Sequence, residues 1–207
     1  MALALPLSAR AQDLSLNAQL LVAAGNGDAT AVARSLERGA APDSRNRSGD
    51  TTLLIACKKG LTGMARLVIE RGANINQSNL EGVTPLMAAA HGGHSEIAAL
   101  LLARHSDLAA TDRVHKTAMI YAAGQGHADI VRLLLDAGVD PNTRYANDLT
   151  ALMWAAGYGQ NEAAAVLLKA GARTDPRDNR GKSAIAIAEE AGYKETAALL
   201  REGETRR

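Results

Sequence analysis

Apolar residues recur along this chain at i, i+3 and i+4, as in Ile97, Leu100 and Leu101 and again in Ile130, Leu133 and Leu134, a spacing that lines one face of a helix. The two stripes lie 33 residues apart, and so does the rest of the pattern. Equivalent segments start at Leu16, Gly49, Gly82, His115, Asp148 and Gly181. Position eight of each is Ala (Ala23, Ala56, Ala89, Ala122, Ala155, Ala188) and position twelve is Gly (Gly27, Gly60, Gly93, Gly126, Gly159, Gly192). Ala at one helical position in every copy lets neighbouring helices approach closely, and Gly can take the left-handed conformation that turns the chain back. Thr51, Thr84, Thr117, Thr150 and Ser183 offer hydroxyl N-caps at position three, and Pro85 suits a first helical turn. Gly39, Gly72, Gly138 and Gly171 follow the second apolar stripe, after which Asn76, Asp140 and Asn142 lead into an extended turn. Each copy therefore reads as two antiparallel helices, and the chain as all-α.

The segment Gly82-Val83-Thr84-Pro85-Leu86, with Ala89-Ala90 and Gly93-His94, resembles the ankyrin repeat, whose period is also 33 residues. The resemblance covers Leu16 to the C-terminus. It implies an ankyrin-repeat solenoid of about six helix-turn-helix repeats with β-hairpin-like tips, forming one domain over 16–207. The first and last copies read as caps. Glu189, Thr196 and Arg201 replace residues that are small or apolar in interior copies, and Ser35 interrupts the first stripe. Ankyrin repeats usually carry His after Thr-Pro-Leu, whereas this chain has Leu54, Met87, Ile120, Met153 and Ala186. His105, His115 and Asp148 stand where Gly is usual, which predicts strained turns.

Composition narrows the function classes. Lys and Arg total 23 against 22 Asp and Glu, leaving no long-range field to draw in nucleic acid. A single cysteine, Cys57, excludes an internal disulfide and a thiolate zinc site. Of the five histidines, His94 and His127 fall at position thirteen, where the resemblance implies a structural tie. His91, His105 and His115 are scattered without acidic neighbours at ligand spacing, so no metal and no cofactor is expected. Neither a G-x-S-x-G nucleophile turn nor a phosphate-binding loop occurs. The expectation is a monomeric, non-catalytic protein; a small-ligand binder or cryptic enzyme using His91, His115 and the tyrosines is the weaker alternative.

Met1 to Gln12 does not fit the repeat. Ala9-Arg10-Ala11 has the form of a signal-peptidase site behind the short apolar run Ala2 to Leu7, although a basic leading region is missing. Residues 1–15 therefore read as a signal-peptide remnant, implying a periplasmic or secreted protein, or as a disordered terminus on a cytoplasmic one. No stretch has the length of a membrane-spanning helix, so no membrane insertion is expected.

In ankyrin repeats the tips and the exposed side of the first helix form a concave groove for partner proteins. The matching positions here give Arg47, Leu80, Arg113, Lys116, Tyr145 and Leu149 at the tips, with Lys58, Lys59, His91, Gln125 and Tyr158 on the helices. Tyr145 and Tyr158 are expected to be accessible and to face each other as interface anchors, with packing on Trp154 and Tyr121 as the bland alternative. Lys58, Lys59, Arg113 and Lys116 suggest a basic cluster that would favour an acidic protein partner, with an ordinary solvated face as the alternative. Such a partner could be an exported enzyme that the protein supports or inhibits, or an intracellular complex for which it is an adaptor.

Overall fold

The computed structural model describes residues 7–205, with side chains from residue 16 onward. Among these residues are twelve α-helices, one 3-10 turn and no strand. They run α1 Leu7–Asn26, α2 Ala29–Glu37, α3 Thr52–Lys59, α4 Thr62–Glu70, α5 Pro85–Gly92, α6 Ser95–Leu102, α7 Ala118–Gln125, α8 Ala128–Asp136, α9 Ala151–Gly157, α10 Asn161–Lys169, α11 Ala184–Glu190 and α12 Lys194–Thr205. The chain divides into two compact units, Met1–Pro85 and Leu86–Arg207. The leader-like segment Met1 to Gln12 lies outside the described residues in its first six positions and, in its side chains, throughout.

Helices this short are marginal in isolation, so caps and packing decide that they form. Thr51, Thr117, Thr150 and Ser183 each accept a hydrogen bond from the backbone N–H three residues on, at 3.2–3.4 Å. Position eight is buried without exception: Ala56, Ala89, Ala122, Ala155 and Ala188 expose no surface. In the first unit α3 packs on α1 and α4 on α2; in the second α7 packs on α9, α9 on α11, and α8 and α12 on α10. Burying Leu53, Leu54, Val68, Ile97, Leu101, Ile130, Leu134, Leu152 and Leu167 in these layers contributes about 1.5 to 3 kcal/mol per side chain before entropy.

Position twelve needs Gly for two reasons. Its φ is positive throughout, between 68° and 82°. In addition, the side chain at position thirteen of the following copy lies directly over it. A β-carbon on Gly93 would meet the His127 ring at 2.6 Å, one on Gly126 would overlap Gln160, and one on Gly159 would meet the Tyr193 ring at 2.5 Å. His127 Nε2 lies 3.1 Å from the His91 carbonyl, and Gln160 Nε2 donates to the Gly124 carbonyl at 3.2 Å. His127 thus ties one copy to the copy before it, and Gln160 does the same work with an amide.

The tips are five-residue turns in which the first N–H donates to the fifth carbonyl (Asn46 to Asp50, Asn79 to Val83, Asp112 to Lys116, Tyr145 to Leu149 and Asp178 to Lys182) and the fourth N–H donates back to the first carbonyl. In four of them the leading Asn or Asp accepts backbone N–H groups two and four residues ahead, an Asx turn. Tyr145 cannot do this, and its turn instead contains the 3-10 segment Ala146–Asp148. The strain anticipated at non-Gly turn positions is present: His105, His115 and Asp148, together with Asn147, are left-handed, with φ of 59–60°.

The end copies satisfy their polar substitutions within the copy or on the copy next to it. Ser35 donates to the Ala31 carbonyl at 2.8 Å, and buried Thr196 donates to Asn161 Oδ1 at 2.6 Å. Glu189 pairs with Arg201.

Candidate functional site

In the first unit, two of the anticipated contact residues are already occupied. Asp50 is buried, and its carboxylate accepts from Lys58 Nζ at 2.8 Å and from Asn79 Nδ2 at 2.9 Å. Lys59 Nζ donates to the Gly25 carbonyl at 2.6 Å, which ties α3 to the copy before it. Arg47 and Leu80 are exposed, Leu80 to 55 %, and the Leu80 N–H donates to the Ser48 carbonyl at 3.1 Å, joining consecutive tips. Lys58 and Lys59 therefore hold the fold together locally, a role that the basic-cluster reading did not assign to them.

The second unit gathers a denser set. Asp112, itself buried, fixes the tip by accepting from Val114 N at 3.0 Å and Lys116 N at 2.8 Å through one oxygen. Its other oxygen accepts from the Tyr121 hydroxyl at 2.5 Å. This brings tip and helix α7 together and aims Lys116 across the face of the helices. The Lys116 ammonium lies 4.8 Å from the Trp154 ring and 5.6 Å from the Tyr121 ring, within cation–π range. His91 meets Tyr121 edge-on at 5.3 Å, and Tyr158 stacks on Trp154 at 6.0 Å with the planes 8° apart. Gly124 lies beneath the stack, where an added β-carbon would make only ordinary contact with Trp154 and Tyr158 at 3.7 Å. These groups, with Ile120 and Gln125, line a dimple of about 80 Å³. Tyr158 remains 53 % exposed.

A charge rule links the copies. At positions two and ten Asp50 pairs with Lys58, and Lys182 pairs with Glu190. The Lys182 ammonium holds the Glu190 carboxyl below the usual carboxylate range. Lys116 sits at position two as well, but position ten of its copy is Gly124, and no ion pair to Lys116 forms among the described residues. The aromatic rings take the place of an acid.

Of the anticipated residues, the structure brings together His91, Lys116, Gln125 and Tyr158. Arg113 is exposed and Leu149 half-buried. Tyr145 departs from expectation. It does not face Tyr158 and packs on neither Trp154 nor Tyr121; it is half-buried and lines a separate cavity with Thr117 and Thr143. Burial pushes its phenol above the ordinary range, and hydrogen bonds to Thr117 and Thr143 oppose this. The 145 tip lacks the Asx side chain of the other tips, and its Tyr is taken up instead by the cavity that Thr117 and Thr143 help to line. Asp112 was not singled out as a site residue from sequence, and Tyr121 only as packing. The available signal was a nine-residue separation, one more than the eight residues by which Asp50 at its tip reaches Lys58 on its helix.

Among the described residues no group of three His, Cys, Asp or Glu could hold a metal ion, and no helix is long and apolar enough to cross a membrane. A search among curated proteins found no match. A family model for ankyrin repeats, spanning three copies, matches residues 20–112, 72–145 and 119–205. Taken with the recurring caps, helix pairs and glycine turns, that coverage shows that the chain belongs to the ankyrin-repeat family.

Proposed function

We propose that this protein binds a partner protein through the face of its second unit centred on Lys116, Trp154 and Tyr158. Ankyrin repeats as a family mediate protein–protein interaction. We read six repeats, starting at 16, 49, 82, 115, 148 and 181, as one ankyrin domain with an end copy at either side. The observation that carries the proposal is Lys116: a cation that forms no ion pair among the described residues, held over two aromatic rings, beside a stacked and exposed Tyr158. Such a surface complements a partner segment that brings a carboxylate flanked by apolar groups, because rigid aromatics bury large area at low entropic cost and the ammonium selects the charge. The role is that of a non-catalytic helper or inhibitor of its partner.

Crosslinking and affinity purification from the native compartment, comparing wild type with Tyr158→Ala and Lys116→Ala, tests this. A partner recovered by wild type should bind each variant roughly tenfold or more weakly, the size of an interface anchor. Equal recovery by all three would remove the patch from the interface. Export belongs to the same proposal. Cell fractionation with determination of the first residue should find a chain beginning at Gln12 outside the cytoplasm, and a cytosolic chain retaining Met1 to Ala11 would refute it.

A further inference from the structure

We infer a second binding surface in the second unit, a cleft between the tips 112–116 and 145–149 that takes an extended peptide segment of a partner protein. Two junctions between consecutive tips of this chain, one within each unit, are joined by a backbone hydrogen bond between residues 32 apart. The Leu80 N–H donates to the Ser48 carbonyl at 3.1 Å, and the Asn179 N–H to the Asn147 carbonyl at 3.0 Å. The equivalent pair here is the Ala146 N–H and the Val114 carbonyl, and neither group makes a hydrogen bond among the described residues. Val114 and Ala146 are both exposed, Val114 to 64 %. One donor and one acceptor that pair at two other junctions are therefore left without a backbone partner on two exposed residues in equivalent register, which is what a sheet edge offers to an added strand.

The same place holds a cavity of about 660 Å³. Leu108, Ala109 and Val139 contribute apolar surface, and Thr111, Thr143 and Tyr145 contribute hydroxyls. Asp140, Arg144 and His115 also line it, so its charged groups are of both signs, and the volume and apolar share suit an apolar side chain of a peptide. The opening has a cause in the sequence. Tyr145 replaces the Asn or Asp that organises every other tip, and it forms part of the cavity wall together with Thr117 and Thr143. Asn147 and Asp148 then both turn left-handed, where the other tips need one such residue. An extended peptide fits both features at once, with backbone to the Val114 carbonyl and Ala146 N–H and an apolar side chain into the cavity. This surface is distinct from the Lys116 patch and stands or falls separately.

The test is to pan phage-displayed unconstrained peptides against the full-length protein, then measure enriched peptides by fluorescence anisotropy and amide hydrogen exchange. Tyr145→Asn restores an Asx turn and should close the cleft, and Ala109→Trp should fill it. Tyr158→Ala leaves the cleft untouched. The expected result is an enriched peptide with an apolar residue that binds wild type and Tyr158→Ala equally, binds both cleft variants roughly tenfold or more weakly, and slows exchange of the Ala146 amide. Failure to enrich any peptide, binding indifferent to both cleft variants, loss confined to Tyr158→Ala, or unchanged exchange at Ala146 would overturn the proposal.

Discussion

Replacing His115 by Gly should make the protein more stable. His115 occupies the turn position that is Gly in three of the other tips, and its φ of 60° is left-handed. A side chain in that region costs about 1 to 2 kcal/mol, while the extra freedom Gly gives the unfolded chain takes back about 0.4 to 1 kcal/mol. The balance is a gain of about 0.5 to 1 kcal/mol, or about 1 to 4 °C in Tm for a chain of this length. Little is lost with the imidazole, because it is exposed and makes no hydrogen bond among the described residues; the backbone N–H keeps its bond to the Asp112 carbonyl at 3.0 Å. The mirror experiment is Gly181→Ala. Its φ is 78°, and an added β-carbon would meet no atom within 4 Å, so only the backbone conformation is tested, and stability should fall by about 1 kcal/mol. Urea unfolding followed by circular dichroism, with hydrogen exchange across 112–124 to localise the change, reads both. If His115→Gly is neutral or destabilising while Gly181→Ala costs nothing, left-handed strain is not what distinguishes these turns.

Gly159→Ala should be worse than Gly181→Ala, because its β-carbon would also meet the Tyr193 ring at 2.5 Å; a thermal melt of the two variants ranks them. Lys58→Met should destabilise by about 1 to 3 kcal/mol by leaving the buried Asp50 carboxylate without its cation, and urea titration would show no loss if the lysine served only a partner. Cys57 exposes no surface, and burial pushes its thiol far above the ordinary range. The folded chain then holds that proton more tightly than the unfolded one. Stability is thus flat below the unfolded thiol value of about 8.5 and falls as pH rises beyond it, by up to about 1.4 kcal/mol per pH unit. Cys57→Ala should flatten that slope, and a thiol reagent should label the native protein no faster than it unfolds.

The period made the helices, their caps and their glycine turns legible, because Thr117, Ala122 and Gly126 act through neighbours at fixed sequence distance. The groove was legible only in part. Lys58 reads as a free surface cation until Asp50 is seen eight residues earlier, buried beneath Asn79. The substitution of Tyr145 for Asx was visible, but the direction of its ring was not, since that depends on the hydroxyls of Thr117 and Thr143 on adjoining segments. Trp154 illustrates the limit best. Its indole N–H is buried without a hydrogen-bond partner among the described residues, which no periodicity could foretell, and its ring serves Lys116 and Tyr158 at once.

Departures from the repeat are concentrated rather than scattered. Among the described residues, all four left-handed residues other than Gly lie from His105 to Asp148, as do the tip without an Asx turn, the unpaired Val114 and Ala146 groups and the Lys116 cation that forms no ion pair. In a stacked-repeat fold each copy is stabilised mainly by its neighbours, so local strain is tolerated where adjacent copies are sound. Strain that gathers beside exposed recognition groups is the pattern expected where a binding surface sets the sequence and the stack supplies the stability. His115→Gly combined with Tyr145→Asn puts that reasoning under test. If the strain belongs to recognition, the double variant should unfold at a higher temperature and bind peptide more weakly than either single variant. If it becomes more stable and binds unchanged, the departures are incidental to function.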